Sequence, residues 1–160
     1  MARIKSGPSG LYYDANDSGP DQGSPEEIAA FKATQVGAFT SSQINSMTTA
    51  QMSALSVTQV ASLNVSRIKD IDSTRLGALS SKQIQALTTD QMMGLISSQL
   101  AALDSSQISS LKAKQIKAIE TRDMAGLGSD QIIALTTAQV TALTTGQVAA
   151  LDTDQIAAIA

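Results

Sequence analysis

Cysteine, histidine and tryptophan are all missing from the 160 residues. Without thiol or imidazole there can be no disulfide, no Cys/His metal site, no Ser-His-Asp triad and no Cys-His pair. No nucleophile, base and orienting group can be named, so an enzyme is not expected. Aromatic residues make up only 2% of the chain, although 42% of it is hydrophobic. The apolar set is mostly Ala, Leu, Ile, Val and Met, which suits many small repeated cores. Excess positive charge is lacking too: Lys and Arg number 11 against 14 Asp and Glu, a net charge of −3. No basic surface is available to neutralise a phosphate backbone or an anionic membrane, and nucleic acid is not an expected partner. No apolar run approaches the roughly 18 residues of a membrane span, so membrane insertion is not expected. The opening MARIKSGPSG has basic residues with no apolar stretch behind them and does not read as a Sec signal. The expected location is extracellular or on the cell surface, reached by a route that reads no N-terminal signal; a cytoplasmic location is equally compatible with the composition.

What the chain has is a beat. Counting back from the C-terminus in steps of eight, one frame runs without insertion or deletion to Ser24, giving seventeen octads numbered here from octad 1 (residues 24 to 31) to octad 17 (residues 152 to 159). The fifth octad position is a large aliphatic residue or Met throughout, from Ile28 to Ile156. The eighth is Leu, Ile, Met or Phe, from Phe31 to Ile159. The seventh is Ala, Ser or Gly except at Asp70, and the fourth is Gln in thirteen of the seventeen.

A single continuous α-helix fails on arithmetic, because eight steps of about 100° overshoot two turns by roughly 80° and wind the apolar stripe around the axis. A β-solenoid places same-face residues two apart, whereas the apolar sites here are three apart. That spacing is helical, and it leaves a short helix closed by a tight corner, repeated. The sequence resets each helix with a capping box, in which the first-position hydroxyl or carboxylate accepts from the backbone N–H three residues on and the Gln side chain reaches back. Thr136 with Gln139, Thr144 with Gln147, and Asp152 with Gln155 have this form. SPEEIAAF opens the array with Ser24 as N-cap, Pro25 where its missing N–H is harmless, and Glu27 in the Gln position.

One octad buries two large side chains, worth roughly 1.5–3 kcal/mol each, against about 1–2 kcal/mol of backbone ordering for every residue. It cannot fold alone. Stacked octads share an axial core, with the small seventh residue permitting close approach. The expected fold is therefore all-α: a solenoid of short helices over residues 24–160, preceded by a flexible arm, residues 1–23, rich in Gly, Ser, Pro and Asp. The octads per superhelical turn do not follow from the pattern.

Within the arm, DANDSG sets oxygen-bearing side chains at Asp14, Asn16 and Ser18 before Gly19, as in the first half of an EF-hand-type calcium loop. Pro25 occupies the place of that loop's last ligand, and a plain turn is the competing reading. Octads 6 and 7, NVSRIKDI and DSTRLGAL, replace Gln by Arg67 and Arg75 and add Lys69, Asp70 and Asp72, which reads as a salt-bridge network on a solvated face or as a partner site. Lys112, Lys114 and Lys117 read as a charged corner.

LTTAQVTALTTGQVAALDTDQIAAI, at residues 135–159, resembles the LTTxQIAAL tandem arrays of large secreted or surface proteins of proteobacteria, adhesin-like or haem-utilisation-like. GLYYDANDSGP in the arm is similar to segments of RTX-like secreted calcium-binding proteins, although GGxGxD nonapeptides are missing. The resemblance implies an extracellular, structural or adhesive role. LTTDQMMGL also resembles the opening of TAL-effector repeats, which implies shared helix-start chemistry.

Solenoids close with atypical polar caps, yet DTDQIAAI is near consensus. The expectation is a self-associating structural protein whose copies stack head to tail through Ile156 and Ile159, with Tyr12 and Tyr13 of the arm latching onto a neighbour. A monomeric adhesin stalk or protein-binding scaffold is the alternative. No cofactor is expected apart from calcium at the arm.

Overall fold

The structure is a computed structural model that describes residues 5–7, 10–12 and 25–159. Each octad contributes one short helix of four to seven residues, and all are α-helical except the 3-10 turn Thr121–Gly126 of octad 13. The expected solenoid of short helices is what forms. In the arm, strands Lys5–Gly7 and Gly10–Tyr12 pair antiparallel, with Lys5 opposite Tyr12. The all-helical reading had no place for that pairing.

Two consecutive extended residues make the corner between helices. At the end of octad 4, Leu55 (φ −60°, ψ 136°) stops the helix, and Ser56 (φ −69°, ψ 160°) opens the next, Val57–Ser62. These are polyproline-like values open to any L-residue, so the corner needs no glycine and can be made of Leu-Thr, Leu-Ser or Leu-Asp.

Each helix stacks on the helix three octads away: octad 1 on 4, 2 on 5, 5 on 8, 10 on 13 and 14 on 17. Side-chain bonds between turns span 25 to 31 residues, as in Asn45 to Asp70 and Gln59 to Ile28. One superhelical turn therefore takes somewhat more than three octads. Fifth-position side chains form the axis of the core and are at most 1% exposed from Ile28 to Ile132. The eighth-position residues pack around them, beginning with the edge-to-face pair Phe31 and Phe39, centroids 5.6 Å apart.

The small sites are packing sites. At the seventh position a Cβ on Gly126 would lie 2.3 Å from Ser97 O, in the octad three earlier; at the sixth position of octad 2, one on Gly37 would lie 2.6 Å from Ser62 O, in the octad three further on. In the seventh position, Ser62 Oγ donates to Ala33 O at 2.6 Å across the same seam. Asp70, the one large residue at this position, is exposed; its carboxylate accepts from Ser41 Oγ at 3.1 Å and its carbonyl from Asn45 Nδ2 at 2.7 Å.

Candidate functional site

The capping boxes form as the spacing requires. Gln139 N–H donates to Thr136 Oγ1 at 3.3 Å, while Thr136 N–H donates to Gln139 Oε1 at 2.7 Å. The corresponding distances are 3.1 and 3.0 Å for Gln147 with Thr144, and 2.8 and 2.8 Å for Gln155 with Asp152. Ser24 lies outside the described residues, and Glu27 sits in the first turn of the helix Pro25–Ala29. Four octads begin with a residue that has no side-chain acceptor: Lys32, Ile96, Lys112 and Gly128. There only half the box exists, the N–H donating to Oε1 of Gln35, Gln99, Gln115 and Gln131 at 2.7–3.0 Å.

Capping uses only the oxygen of the amide. The nitrogen does something the octad pattern does not announce: it donates to the C-terminal carbonyls of the octad four earlier, in the adjacent turn. Gln59 Nε2 reaches Phe31 O at 2.7 Å, Ala29 O at 3.2 Å and Ile28 O at 3.3 Å. Gln91 repeats this on Leu63 and Val60 at 2.7 and 3.1 Å, Gln139 on Leu111 and Ile108 at 2.7 and 2.8 Å, and Gln147 on Ile119 and Ile116 at 2.7 and 2.9 Å. The last carbonyls of a helix have no intrahelical partner, and burying them unpaired is costly. One amide thus satisfies the start of its own helix and the end of another, and eleven of these Gln residues are buried at 0–6% exposure. The signal was in the sequence: a capping box accepts Glu as readily as Gln, so a strong bias to Gln points to use of the NH2.

The exceptions follow the same need. Arg67 donates to Ala38 O at 3.2 Å and to Phe39 O, and Arg75 Nε donates to Met47 O at 2.8 Å. These guanidinium groups take the place of the amide on the neighbouring turn. Of the salt-bridge network expected here, the structure gives the pair Arg75 and Asp72 at 3.3 Å. At octad 13, Asp123 has nothing to donate; its Oδ1 instead accepts from Ser97 N–H and Oγ, both at 3.0 Å. Ser97 starts the helix whose N-cap, Ile96, has no polar side chain. Lys112, Lys114 and Lys117 are exposed, as a charged corner requires.

At the far end the pattern is left open. Val148 and Ile156 are each 44% exposed and Ile159 38%, where equivalent residues of interior turns are covered. With Val140, Leu143 and Leu151 they line one apolar cleft. Among the described residues, no Gln amide meets the carbonyls of octads 14 to 17. At the opposite end Gln35 and Gln43 are half-buried, and no turn lies beneath them among the described residues. Tyr12 has a described backbone in its strand; Tyr13, Asp14, Asn16 and Ser18, and with them the latch and the calcium reading, lie outside the described residues. Among those described, no cluster of three potential metal ligands occurs, and no helix is long and apolar enough to cross a membrane.

The ALTTAQ repeat family matches residues 28–65, 116–153 and 129–160, together more than half of the chain, and the chain belongs to that family. No curated protein and no solved structure matches it.

Proposed function

We propose that this ALTTAQ-repeat chain is a structural protein that self-associates, copies stacking end to end along the solenoid axis into filaments. The observation behind the reading is the uniformity of the seams: turn meets turn through one buried fifth-position stripe, at most 1% exposed from Ile28 to Ile132, and through one Gln-amide ladder, so a second copy can offer what each turn offers its neighbour. A solenoid turn is stabilised by its neighbours, and a face of this kind gains by covering. Head-to-tail contact between unlike ends does not close on itself and gives an open fibre. The extracellular setting and the arm as a latch belong to the same proposal, the former on the resemblance to secreted arrays.

Light scattering and negative-stain imaging of the 160-residue chain over a concentration series test it. Particles that lengthen with concentration are expected. A strict monomer at high concentration would overturn the reading and move the function to the lateral surface of a single solenoid, as a stalk or protein-binding scaffold.

A further inference from the structure

We infer that two copies of this chain pair side by side, pointing the same way, along the edge where the stack of octads 6, 9 and 12 turns into the stack of octads 7, 10 and 13. Helices within each stack are in contact, and the edge between the stacks is made by the sixth residue of one octad and the first of the next. Asn45 shows the register. From the sixth position of octad 3 its side chain donates to Asp70 O at 2.7 Å and accepts from Asp72 N–H at 2.8 Å, at the same edge one turn on. Along this edge the successive rungs are Lys69 with Asp72, Met93 with Ile96, and Lys117 with Glu120. Met93 is 50% and Ile96 38% exposed. Neither lysine forms an ion pair among the described residues. An apolar rung thus lies between two rungs that each hold one cation and one anion. Neither of the other two edges has an apolar pair between charged pairs; the same positions there read Gly77 with Ser80, or Ala61 with Asn64.

This edge is its own complement. A twofold axis parallel to the solenoid sets the sixth-position side of one copy against the first-position side of the other, at the same height. Lys69 then meets Asp72, Met93 meets Ile96 and Lys117 meets Glu120, each contact being made twice. Turning one copy upside down sets Lys69 against Lys117 and Asp72 against Glu120, where like charges repel. The acids are held in place for the parallel pair. Arg75 lies 3.3 Å from Asp72 Oδ1 and Arg122 2.5 Å from Glu120 Oε2, which leaves the second oxygen of each carboxylate for a lysine. Because one superhelical turn takes somewhat more than three octads, the edge winds round the axis, and two straight solenoids touch over a few rungs only. The pattern has that extent: the next rungs outward, Asn45 with Thr48 and Thr141 with Thr144, carry no charge. With one apolar rung, the contact belongs to the small, transient class of interface. It uses neither end of the chain and is independent of end-to-end stacking.

Lys117→Glu tests both the contact and its direction, read by sedimentation equilibrium at up to about 1 mM chain, a range suited to a weak association. Lys117 is exposed, so circular dichroism should be unchanged, while two acids now oppose one another twice in each parallel pair. Pairing should weaken about tenfold. Adding Glu120→Lys makes the rung complementary again and should restore it. In an upside-down pair the single variant would instead place Glu opposite Lys69 and strengthen the association. Met93→Gln, at an exposed helical site, should weaken pairing without changing the fold. A wild-type chain that does not pair, a Lys117→Glu variant that pairs as well as wild type or better, or a double variant as weak as the single one would each overturn the side-by-side contact. Negative-stain images keep this separate from end-to-end stacking. Filaments that stay one solenoid wide would overturn the pairing and leave the stacking standing, and pairs that never lengthen would do the reverse.

Discussion

Gln99 Nε2 lies 2.7 Å from the carbonyl oxygen of Ile71, and 2.7 Å from that of Ile68, in the turn beneath it. Its Oε1 meanwhile accepts from Ile96 N–H at 3.0 Å, and the side chain is fully buried. Gln99→Glu separates the two roles, since Glu can cap but, when ionised, cannot donate. The expected outcome is a loss of about 2 kcal/mol or more in urea unfolding at neutral pH, from two buried carbonyls losing their partner. Burial among carbonyls raises the folded-state pKa of the new carboxyl above its unfolded value. The deficit should therefore shrink as pH falls through that raised pKa. An unchanged unfolding midpoint would show that capping alone accounts for the recurring amide geometry.

Arg67 tests whether the neighbouring carbonyls need an amide or only a donor. It bonds Ala38 O and Phe39 O, so Arg67→Ala should cost about 1–3 kcal/mol while Arg67→Gln stays within about 1 kcal/mol of wild type. Thermal unfolding of the three proteins gives the order. Equal loss in both variants would mean that the guanidinium is held for its charge.

The helix-and-corner unit was legible because local rules specify it: apolar residues three apart, a hydroxyl or carboxylate at the N-cap, and Gln three residues later. The stacking period was not. It depends on the angle at the corner, set by pairs such as Leu63 (ψ 136°) and the following Asn64 (ψ 124°), and no residue type encodes that angle alone. Arg67 and Arg75 were read as surface charge because the pattern shows what a residue is and not which turn it faces. Asp123 was missed for the same reason, since its partner Ser97 is 26 residues away.

Two glycines in consecutive octads should respond oppositely. A Cβ on Gly126 would lie 2.3 Å from Ser97 O and 2.7 Å from its Cα, all backbone, so Gly126→Ala should destabilise. Gly128 is an N-cap at φ −75° with only Gln131 Oε1 nearby, 3.8 Å from a Cβ. Gly128→Ser completes the half-made capping box and should stabilise by a few tenths of a kcal/mol. Differential scanning calorimetry should show melting temperatures moving in opposite directions.

Asp104 gives the array an acid-sensitive cap. The Ser106 hydroxyl and the Gln107 N–H, donating at 2.6 and 2.8 Å, hold its carboxyl below the usual carboxylate range. A depressed folded-state pKa contributes stability above the unfolded value near 4, and that contribution disappears as pH falls through the folded value. Asp104→Asn, which caps without titrating, should match wild type more closely in acid than at neutral pH. Urea midpoints at several pH values check this, and parallel curves would exclude it.

Ile96 and Asp123 should be coupled across the turn. Because Ile96 has no acceptor for the first-turn N–H groups of its helix, Asp123 supplies one to Ser97 from the next turn. Asp123→Ala leaves that N–H with no protein partner and should cost about 1–3 kcal/mol in the wild-type background. Ile96→Thr places a hydroxyl at the N-cap, where it accepts from Gln99 N–H and fixes the first turn from within its own octad. Against that background the first turn keeps a cap of its own when Asp123→Ala removes the acceptor of Ser97 N–H, and the substitution should cost less. The double-mutant cycle should yield a coupling of about 0.5–1 kcal/mol. Strict additivity would mean that Asp123 acts through Arg122, 3.4 Å away, and not as the cap of another turn's helix.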